Sequence, residues 1–132
     1  MRKKVSFDFD GTLEHEHVQD YAKSLIENGV EVWVVTTRFD ENHIHLYYTD
    51  EWRKAGQDDL WKVVDKLTIP RHHVRFTNME WKAKYLDKSS FIWHLDDNDE
   101  EHEQAELLGI NVPIIDVKSS FWKNECNSYL NL

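Results

Sequence analysis

The chain has 132 residues, of which 40% are hydrophobic and 13% aromatic, and this fits one folded domain that spans residues 1–132. Its net charge of −9 excludes a protein that coats nucleic acid, since that needs a basic surface, but not one that holds a nucleotide or a nucleic-acid end in a local pocket. The single Cys126 excludes an internal disulfide, and no stretch resembles a signal peptide or a membrane span, so we expect a cytoplasmic protein with no membrane partner.

The N-terminal third predicts a strand, a helix and a second strand. Residues 5–9 are expected to form a strand that ends in acidic residues. Residues 17–28 follow with apolar side chains at helical spacing, and Gly29 ends that helix. Residues 31–37, EVWVVTT, are β-branched and almost continuously apolar, which is typical of a strand buried on both faces.

A polar and aromatic stretch, residues 38–57, separates this strand from the next helix, and a short helix over about residues 49–55 fits within it. About twenty residues is long for a connection in so small a domain, and such segments are usually functional or contain further structure. The helix that follows is expected to be capped by Asp58 or Asp59. Its apolar stripe consists of Leu60, Val63, Val64 and Leu67.

The second half continues the alternation of strands and helices. Residues 73–76 predict a short strand, and Thr77–Glu80 has capping-box spacing, so a helix should begin there and carry Trp81, Tyr85 and Leu86. A strand over residues 91–95 and a helix from Asn98 or Asp99 to Leu108 come next, with Gly109 as the helix stop. The last strand is expected over residues 112–117, and the tail, residues 119–132, should pack back on the domain through Phe121, Trp122, Tyr129 and Leu130.

Alternating strands and helices predict an α/β domain with a central parallel sheet of about five strands flanked by helices. In such a sheet the ligand-binding edge lies beyond the carboxyl ends of the strands. Polar residues follow three of the predicted strands there, and two lysines lie near the start of the third main helix. These residues are Asp8, Asp10, Thr36, Thr37, Asp96, Asp97, Lys82 and Lys84.

So many carboxylates in one small pocket repel one another unless a cation joins them. Magnesium fits best, because it prefers oxygen ligands and usually combines one or two carboxylates with a substrate phosphate. A carboxylate can also attack phosphorus to form an aspartyl phosphate, while a second carboxylate protonates the leaving oxygen and later activates water. A hydroxyl and an ammonium group would stabilise the phosphoryl oxygens during transfer.

Four segments together resemble the signature motifs of the haloacid dehalogenase superfamily of phosphatases. SFDFDGTL is similar to the first motif, DxDGT followed by an apolar residue, and VWVVTTR to the second, an apolar strand that ends in Thr or Ser. Lys82 resembles the lone lysine of the third motif. IWHLDDNDEE resembles the fourth, a strand ending in paired acids with another acid a few residues on. The resemblance covers Val5 to about Glu101.

The resemblance implies roles for the residues of the first two motifs. Asp8 would be the nucleophile and also a metal ligand. Asp10 would be the general acid/base, and its backbone carbonyl would bind Mg²⁺. Thr36 would donate a hydrogen bond to a phosphoryl oxygen. An acid at position 10 indicates phosphate transfer and not dehalogenation, so the implied activity is that of a phosphoric monoester hydrolase that forms an aspartyl phosphate.

The third and fourth motifs imply the remaining ligands. Lys82 would bind the substrate phosphate, with Lys84 as the alternative. Asp97 would bind the metal, and either Asp96 or Glu101 would support it through water.

The resemblance also implies a three-layer Rossmann-like fold with the first strand in the centre. Cap domains of the family normally follow the first motif or the lysine, and this sequence has no insert at either point. A capless member of the family suggests either a macromolecular substrate or a neighbouring subunit that closes the site, as in a homo-oligomer.

The stretch 38–57 begins at the rim of the predicted pocket and could select the substrate in place of a cap. It carries Arg38, His43, His45, Tyr47, Tyr48, Trp52 and Arg53. Aromatic rings can stack on a nucleobase, and arginine can hold a second phosphate, which favours a nucleotide or a nucleic-acid-end phosphate over a small sugar phosphate. The alternative is that Tyr47, Tyr48 and Trp52 only anchor the segment to the core.

Two other functions fit parts of the pattern. A receiver-like phosphoacceptor also uses Asp, Thr, Lys and an acid pair with magnesium, but receivers place the acid pair on the first strand, whereas here it follows the fourth. The second is an inactive domain of the same fold that only binds, and the presence of every motif residue argues against it.

Overall fold

The computed structural model describes residues 2–87 and 89–132, and its strands form one parallel sheet flanked by helices. The strands are β1 Lys4–Phe7, β2 Glu31–Thr36, β3 Val74–Phe76, β4 His94–Asp96 and β5 Ile114–Asp116. Their order in the sheet is β3-β2-β1-β4-β5, so the first strand is central. The predicted α/β class and five-stranded parallel sheet are confirmed.

Helices connect the strands and cover the sheet. They are α1 Glu16–Glu27, α2 Asp50–Ala55, α3 Asp58–Lys66, α4 Lys82–Leu86, α5 Asp99–Leu108 and α6 Trp122–Leu130. A tight turn, Phe9–Leu13, joins β1 to α1. Within the described ranges, no helix is both long enough and apolar enough to cross a membrane.

The C-terminal helix closes the core, as the sequence predicted for the tail. Trp122, Cys126 and Leu130 lie one turn apart on α6, and all three are buried. The indole of Trp93, which is itself fully buried, donates a hydrogen bond to the carbonyl of Cys126 at 3.1 Å. The other two aromatics of the tail, Phe121 and Tyr129, are exposed, so the packing of α6 uses one face only.

Strand register brings the predicted site residues to one edge of the sheet. Phe7 of β1 pairs with Val34 of β2 on one side and with Leu95 of β4 on the other. Because all the strands are parallel, the residues that follow these positions leave the sheet side by side. The backbone N–H of Asp8 donates to the carbonyl of Leu95 at 2.9 Å, which sets Asp8 beside the end of β4.

The helix predicted to begin at Thr77 begins only at Lys82. The Thr77 hydroxyl donates to the carbonyl of Glu80 at 2.7 Å and does not cap a helix, and Asn78 and Met79 adopt left-handed backbone angles (φ 54° and 68°). Such angles cannot continue into an α-helix, so the capping-box pattern was wrong here. Of the three residues that this helix was expected to carry, Trp81 precedes it, and Trp81 and Tyr85 are half-exposed, whereas Leu86 is fully buried.

Two further details of the predicted elements change in the structure. The helix α3 begins at Asp58, but its cap residue is Gln57, which makes no side-chain capping bond, and Asp59 bonds to Arg38 instead. The observed strands are also one to three residues shorter than predicted at one or both ends. Their flanking residues turn into the loops that shape the edge of the sheet.

Candidate active site

The carboxyl ends of β1, β2 and β4 open into a polar pocket of about 530 Å³. The turn after β1, the end of β2 and the starts of α4 and α5 form its walls. The lining residues are Asp8, Asp10, Thr37, Lys82, Asp97, Asn98, Asp99, Glu100 and Lys118. All the predicted catalytic and metal-binding residues except Thr36 therefore line one pocket.

The two threonines at the end of β2 differ in their exposure to the pocket. Thr36 is fully buried, and its hydroxyl oxygen accepts a hydrogen bond from the backbone N–H of Arg38 at 3.3 Å. Thr37 follows the strand and lines the pocket.

Lys82 joins two buried carboxylates at the floor of this pocket. Its Nζ lies 2.7 Å from Oδ1 of Asp8 and 2.7 Å from Oδ2 of Asp96, and all three side chains are at least 95% buried. Lys84, the alternative candidate in the sequence, is exposed and pairs with Glu80 at 3.2 Å. Only Lys82 of these two lysines is therefore in reach of the pocket's carboxylates.

Glu101 holds the start of α4, which carries Lys82. Both carboxylate oxygens of Glu101 accept the backbone N–H of Lys82, at 3.1 and 2.8 Å, although Glu101 lies on a different helix, α5. The residue that precedes α4, Trp81, provides no side-chain cap, so Glu101 satisfies a helix N-terminus from outside. Glu101 is fully buried, and burial raises its pKa. Its carboxylate thus positions the lysine, a role that spacing alone could not separate from metal support.

A chain of buried hydrogen bonds orients the carboxylate of Asp96. Nε2 of His94 lies 2.7 Å from Oδ2 of Asp96, and Nδ1 of His94 lies 2.7 Å from the hydroxyl of Ser6. Burial lowers the pKa of His94, which is therefore neutral at pH 7. A carboxylate only accepts, so Nε2 carries the proton and Ser6 donates to Nδ1.

Ser6 and His94 are not among the site residues predicted from the sequence. The alternation of side chains along a strand could have indicated both residues. Ser6 and Asp8 share one side of β1 and its extension, and His94 and Asp96 share one side of β4. Two polar residues within otherwise apolar strands, each two positions before a site acid, indicate a buried network.

Gly11 makes room for the side chain of Asp97. Its backbone has φ of 78°, and a Cβ placed on Gly11 would lie 2.1 Å from Oδ2 of Asp97. The glycine is therefore needed twice, once for the left-handed turn and once for the close approach of the carboxylate. A side chain at position 11 would displace Asp97 from the pocket.

Asp10 points to the pocket rim, where Arg38 binds it. Nε and Nη2 of Arg38 donate to the two oxygens of Asp10 at 3.0 and 2.7 Å. Nη1 and Nη2 also donate to both oxygens of Asp59 at 2.8 Å each, and Nη1 donates to Oε1 of Gln57 at 3.1 Å. Burial acts to lower the pKa of Arg38, but the bonds to Asp59 and Asp10 outweigh it and hold that pKa above its ordinary value.

The pKa values of the two buried carboxylates beside Lys82 are shifted in opposite directions. Burial and the negative charge of Asp96 raise the pKa of Asp8 well above its ordinary value of 3.8, and Lys82 only partly offsets this. Burial also acts to raise the pKa of Asp96, but hydrogen bonds from His94 and Lys82 outweigh it and hold that pKa well below the ordinary value. Ionisation is less favourable for Asp8 than for Asp96, and a further cation nearby would stabilise the ionised form of Asp8.

The donor atoms of this cluster suit a small hard cation. Among the described residues, Asp8, Asp96 and Asp97 each offer a carboxylate oxygen within 4.8 Å of the others. Oδ2 of Asp96 already accepts two hydrogen bonds, from Lys82 and His94, and Oδ1 accepts a third from the backbone N–H of Asn98. Each oxygen of Asp8 accepts one, from Lys82 at 2.7 Å and from the hydroxyl of Thr12 at 3.3 Å. Asp8 and Asp97 therefore have more free lone pairs for a divalent ion than Asp96, whereas the carboxylate of Asp10 is turned to Arg38.

No protein-family model matches this sequence, and no curated protein matches it. The motif residues and their arrangement in this structure therefore provide the support for a function.

Proposed function

We propose that this chain is a magnesium-dependent phosphoric monoester hydrolase of the haloacid dehalogenase type, with Asp8 as the nucleophile. The observation that supports this most is the bridge of Lys82 between Asp8 and Asp96 on the floor of the pocket, next to Asp97. An acid poised for attack, an ammonium group beside it and an unused carboxylate for a cation are the parts that phosphoryl transfer needs.

Asp8, Asp97 and the backbone carbonyl of Asp10 are the ligands we assign to Mg²⁺. Oxygen donors are the ligands that this ion prefers, and the described cluster offers no sulfur or imidazole donor. When bound, the ion neutralises charge on the carboxylates and on the phosphoryl oxygens.

The first chemical step belongs to Asp8. A carboxylate oxygen of Asp8 attacks phosphorus, the bond from phosphorus to the ester oxygen breaks, and the leaving oxygen takes a proton from Asp10. Lys82 is already within 2.7 Å of the attacking carboxylate and stabilises negative charge there. Thr36 is the predicted hydroxyl donor to the phosphoryl oxygens, with Thr37 next to it on the pocket wall.

In the second step Asp10 acts as the base. Its carboxylate takes a proton from water, the water oxygen bonds to phosphorus, and the bond from phosphorus to Asp8 breaks to release inorganic phosphate. Two hydrogen bonds from Arg38 hold the carboxylate of Asp10 at the pocket rim. The substrate class we propose is a nucleotide or a nucleic-acid-end phosphate.

Activity and its metal dependence test this proposal directly. We expect the purified chain to hydrolyse an aryl phosphate in the presence of Mg²⁺ and to lose that activity when EDTA removes the ion. Activity should return when excess Mg²⁺ is added. The measurement is release of inorganic phosphate, with nucleotides, sugar phosphates, phosphoserine peptides and DNA ends as further substrates. Equal turnover with and without EDTA would contradict the metal assignment, and no turnover on any of these substrates would contradict the proposed activity.

A further inference from the structure

A second cavity, of about 440 Å³, adjoins the polar pocket and shares Asp10 and Thr37 with it. Its other walls are largely apolar and include Tyr47, Trp52 and Met79. Trp52 and Met79 are about half exposed there, 54% and 51%. A concave, largely apolar surface of this size that adjoins a polar pocket is typical of a binding site for a small organic molecule.

Contacts within the protein hold the aromatic wall of this cavity in place. The ring of Tyr47 lies edge-to-face between Phe39, at 4.8 Å, and Trp52, at 5.7 Å between ring centroids. The hydroxyl of Tyr47 accepts a hydrogen bond from the backbone N–H of Phe39 at 3.2 Å. Thr49 caps the helix that carries Trp52 by accepting its backbone N–H at 3.2 Å. These contacts fix the position of Trp52 and leave about half of its surface exposed.

Arg38, the arginine that lines this cavity, has no N–H group left to donate to a second phosphate. Each of the five N–H groups of Arg38 already donates to Asp10, Asp59 or Gln57. Arg53 donates to the carbonyl of Tyr47 and to Asp50, and it is not among the residues that line the cavity. The suggestion that Arg38 holds a second phosphate therefore loses its support. The other polar groups that line the cavity include the carboxylates of Asp10 and Asp59, which accept hydrogen bonds from hydroxyl or amino groups.

We infer that this cavity binds the organic part of the substrate, and that this part is a nucleoside carrying a single phosphate. The inference rests on the proposed function, since the phosphate has to lie in the adjoining polar pocket. A flat nucleobase suits the exposed part of the Trp52 ring, and the hydroxyl groups of the sugar suit the carboxylate of Asp59. A nucleoside diphosphate, a triphosphate or a nucleic-acid end brings further phosphate charges to a rim whose arginine, Arg38, already donates all its N–H groups to the protein.

Binding of adenosine monophosphate and of glycerol phosphate, measured by calorimetry, tests the inference. We expect Trp52→Ala to raise the ratio of the Kd for adenosine monophosphate to the Kd for glycerol phosphate by about tenfold or more, the usual effect of losing one stacked aromatic. Trp52→Phe should restore most of the selectivity because it keeps a flat ring. The matched control is Tyr48→Ala, because Tyr48 is 97% exposed, adjoins Tyr47 in sequence and does not line the cavity.

Three outcomes would overturn the inference. One is an unchanged ratio in a folded Trp52→Ala protein, checked by circular dichroism. Another is an equal change of the ratio in Tyr48→Ala. The third is tighter binding of a short oligonucleotide with a terminal phosphate, or of adenosine triphosphate, than of adenosine monophosphate. Phosphate release from adenosine monophosphate and from an aryl phosphate by the unaltered protein is measured alongside. The absence of release from both would contradict the proposed hydrolase, whereas the binding ratio reports on the cavity in either case.

Discussion

Asp8→Asn is expected to lower turnover of any phosphate ester by at least about ten-thousand-fold, the scale on which loss of a nucleophile acts. The amide has nearly the size of the carboxylate but cannot attack phosphorus. The fold should remain, because Lys82 keeps its second partner, Asp96, at 2.7 Å. The measurements are phosphate release in Mg²⁺ and the circular dichroism spectrum. Turnover close to that of the unaltered protein would remove Asp8 from the mechanism.

The thermal stability of Asp8→Asn provides an independent check. In the metal-free protein the pKa of Asp8 is raised, so its stabilising contribution is fully present below its ordinary value of 3.8 and is lost as the pH rises through the higher folded-state value. A rise in pH towards 7 therefore lowers the contribution of Asp8 to the stability of the folded state. We expect Asp8→Asn to have a Tm in EDTA that is equal to or higher than that of the unaltered protein at pH 7, with the difference shrinking as the pH falls. A markedly lower Tm at pH 7 would contradict this.

Lys82→Met should have the largest effect on stability of any single change in the site. Methionine keeps the length of the side chain but leaves Asp8 and Asp96 buried without their cation. Removal of one partner from a buried ion pair typically costs about 3–5 kcal/mol of unfolding free energy. Turnover should also fall, since the ammonium group is lost. Chemical denaturation in EDTA gives the free energy, and phosphate release gives the activity.

Lys84→Met is the matched control for Lys82→Met, since it makes the same substitution two residues away on the same helix. Lys84 is exposed and its partner Glu80 is half exposed, so the change should stay within about 0.5 kcal/mol. Equal losses for the two variants would mean that Lys82 does not act as the buried cation of the site. A stable but inactive Lys82→Met protein would confine its role to catalysis.

Those parts of the site that lie at the ends of strands could be predicted from the sequence. Acids after β1 and β4 come together because parallel strands share a carboxyl edge, and the register of Phe7 with Leu95 makes Asp8 and Asp96 neighbours. The choice between Lys82 and Lys84 needed the structure. Both lysines are near the start of a helix in sequence, and only the true start of α4, five residues later than Thr77, decides which one faces the pocket.

Contacts between distant segments could not be predicted from spacing. Arg38 binds Asp10 across 28 residues and Asp59 across 21, and Glu101 caps α4 from α5. Such bonds depend on how helices and loops pack together, and no repeated spacing of residues in the sequence indicates that packing. The same holds for the aromatic residues of the stretch 38–57. Spacing gave equal weight to Tyr47 and Tyr48, whereas the structure packs Tyr47 in the cavity wall and leaves Tyr48 exposed.

The most direct test of the account is to trap the covalent intermediate on Asp8. The protein is mixed with substrate and Mg²⁺ and quenched in acid during turnover, and the peptide that contains Asp8 is analysed by mass spectrometry. We predict one added phosphoryl group on Asp8, removable by hydroxylamine as an acyl phosphate should be, and absent from Asp8→Asn. Turnover that proceeds with no label on this peptide, or with the phosphoryl group on another residue, would contradict the account.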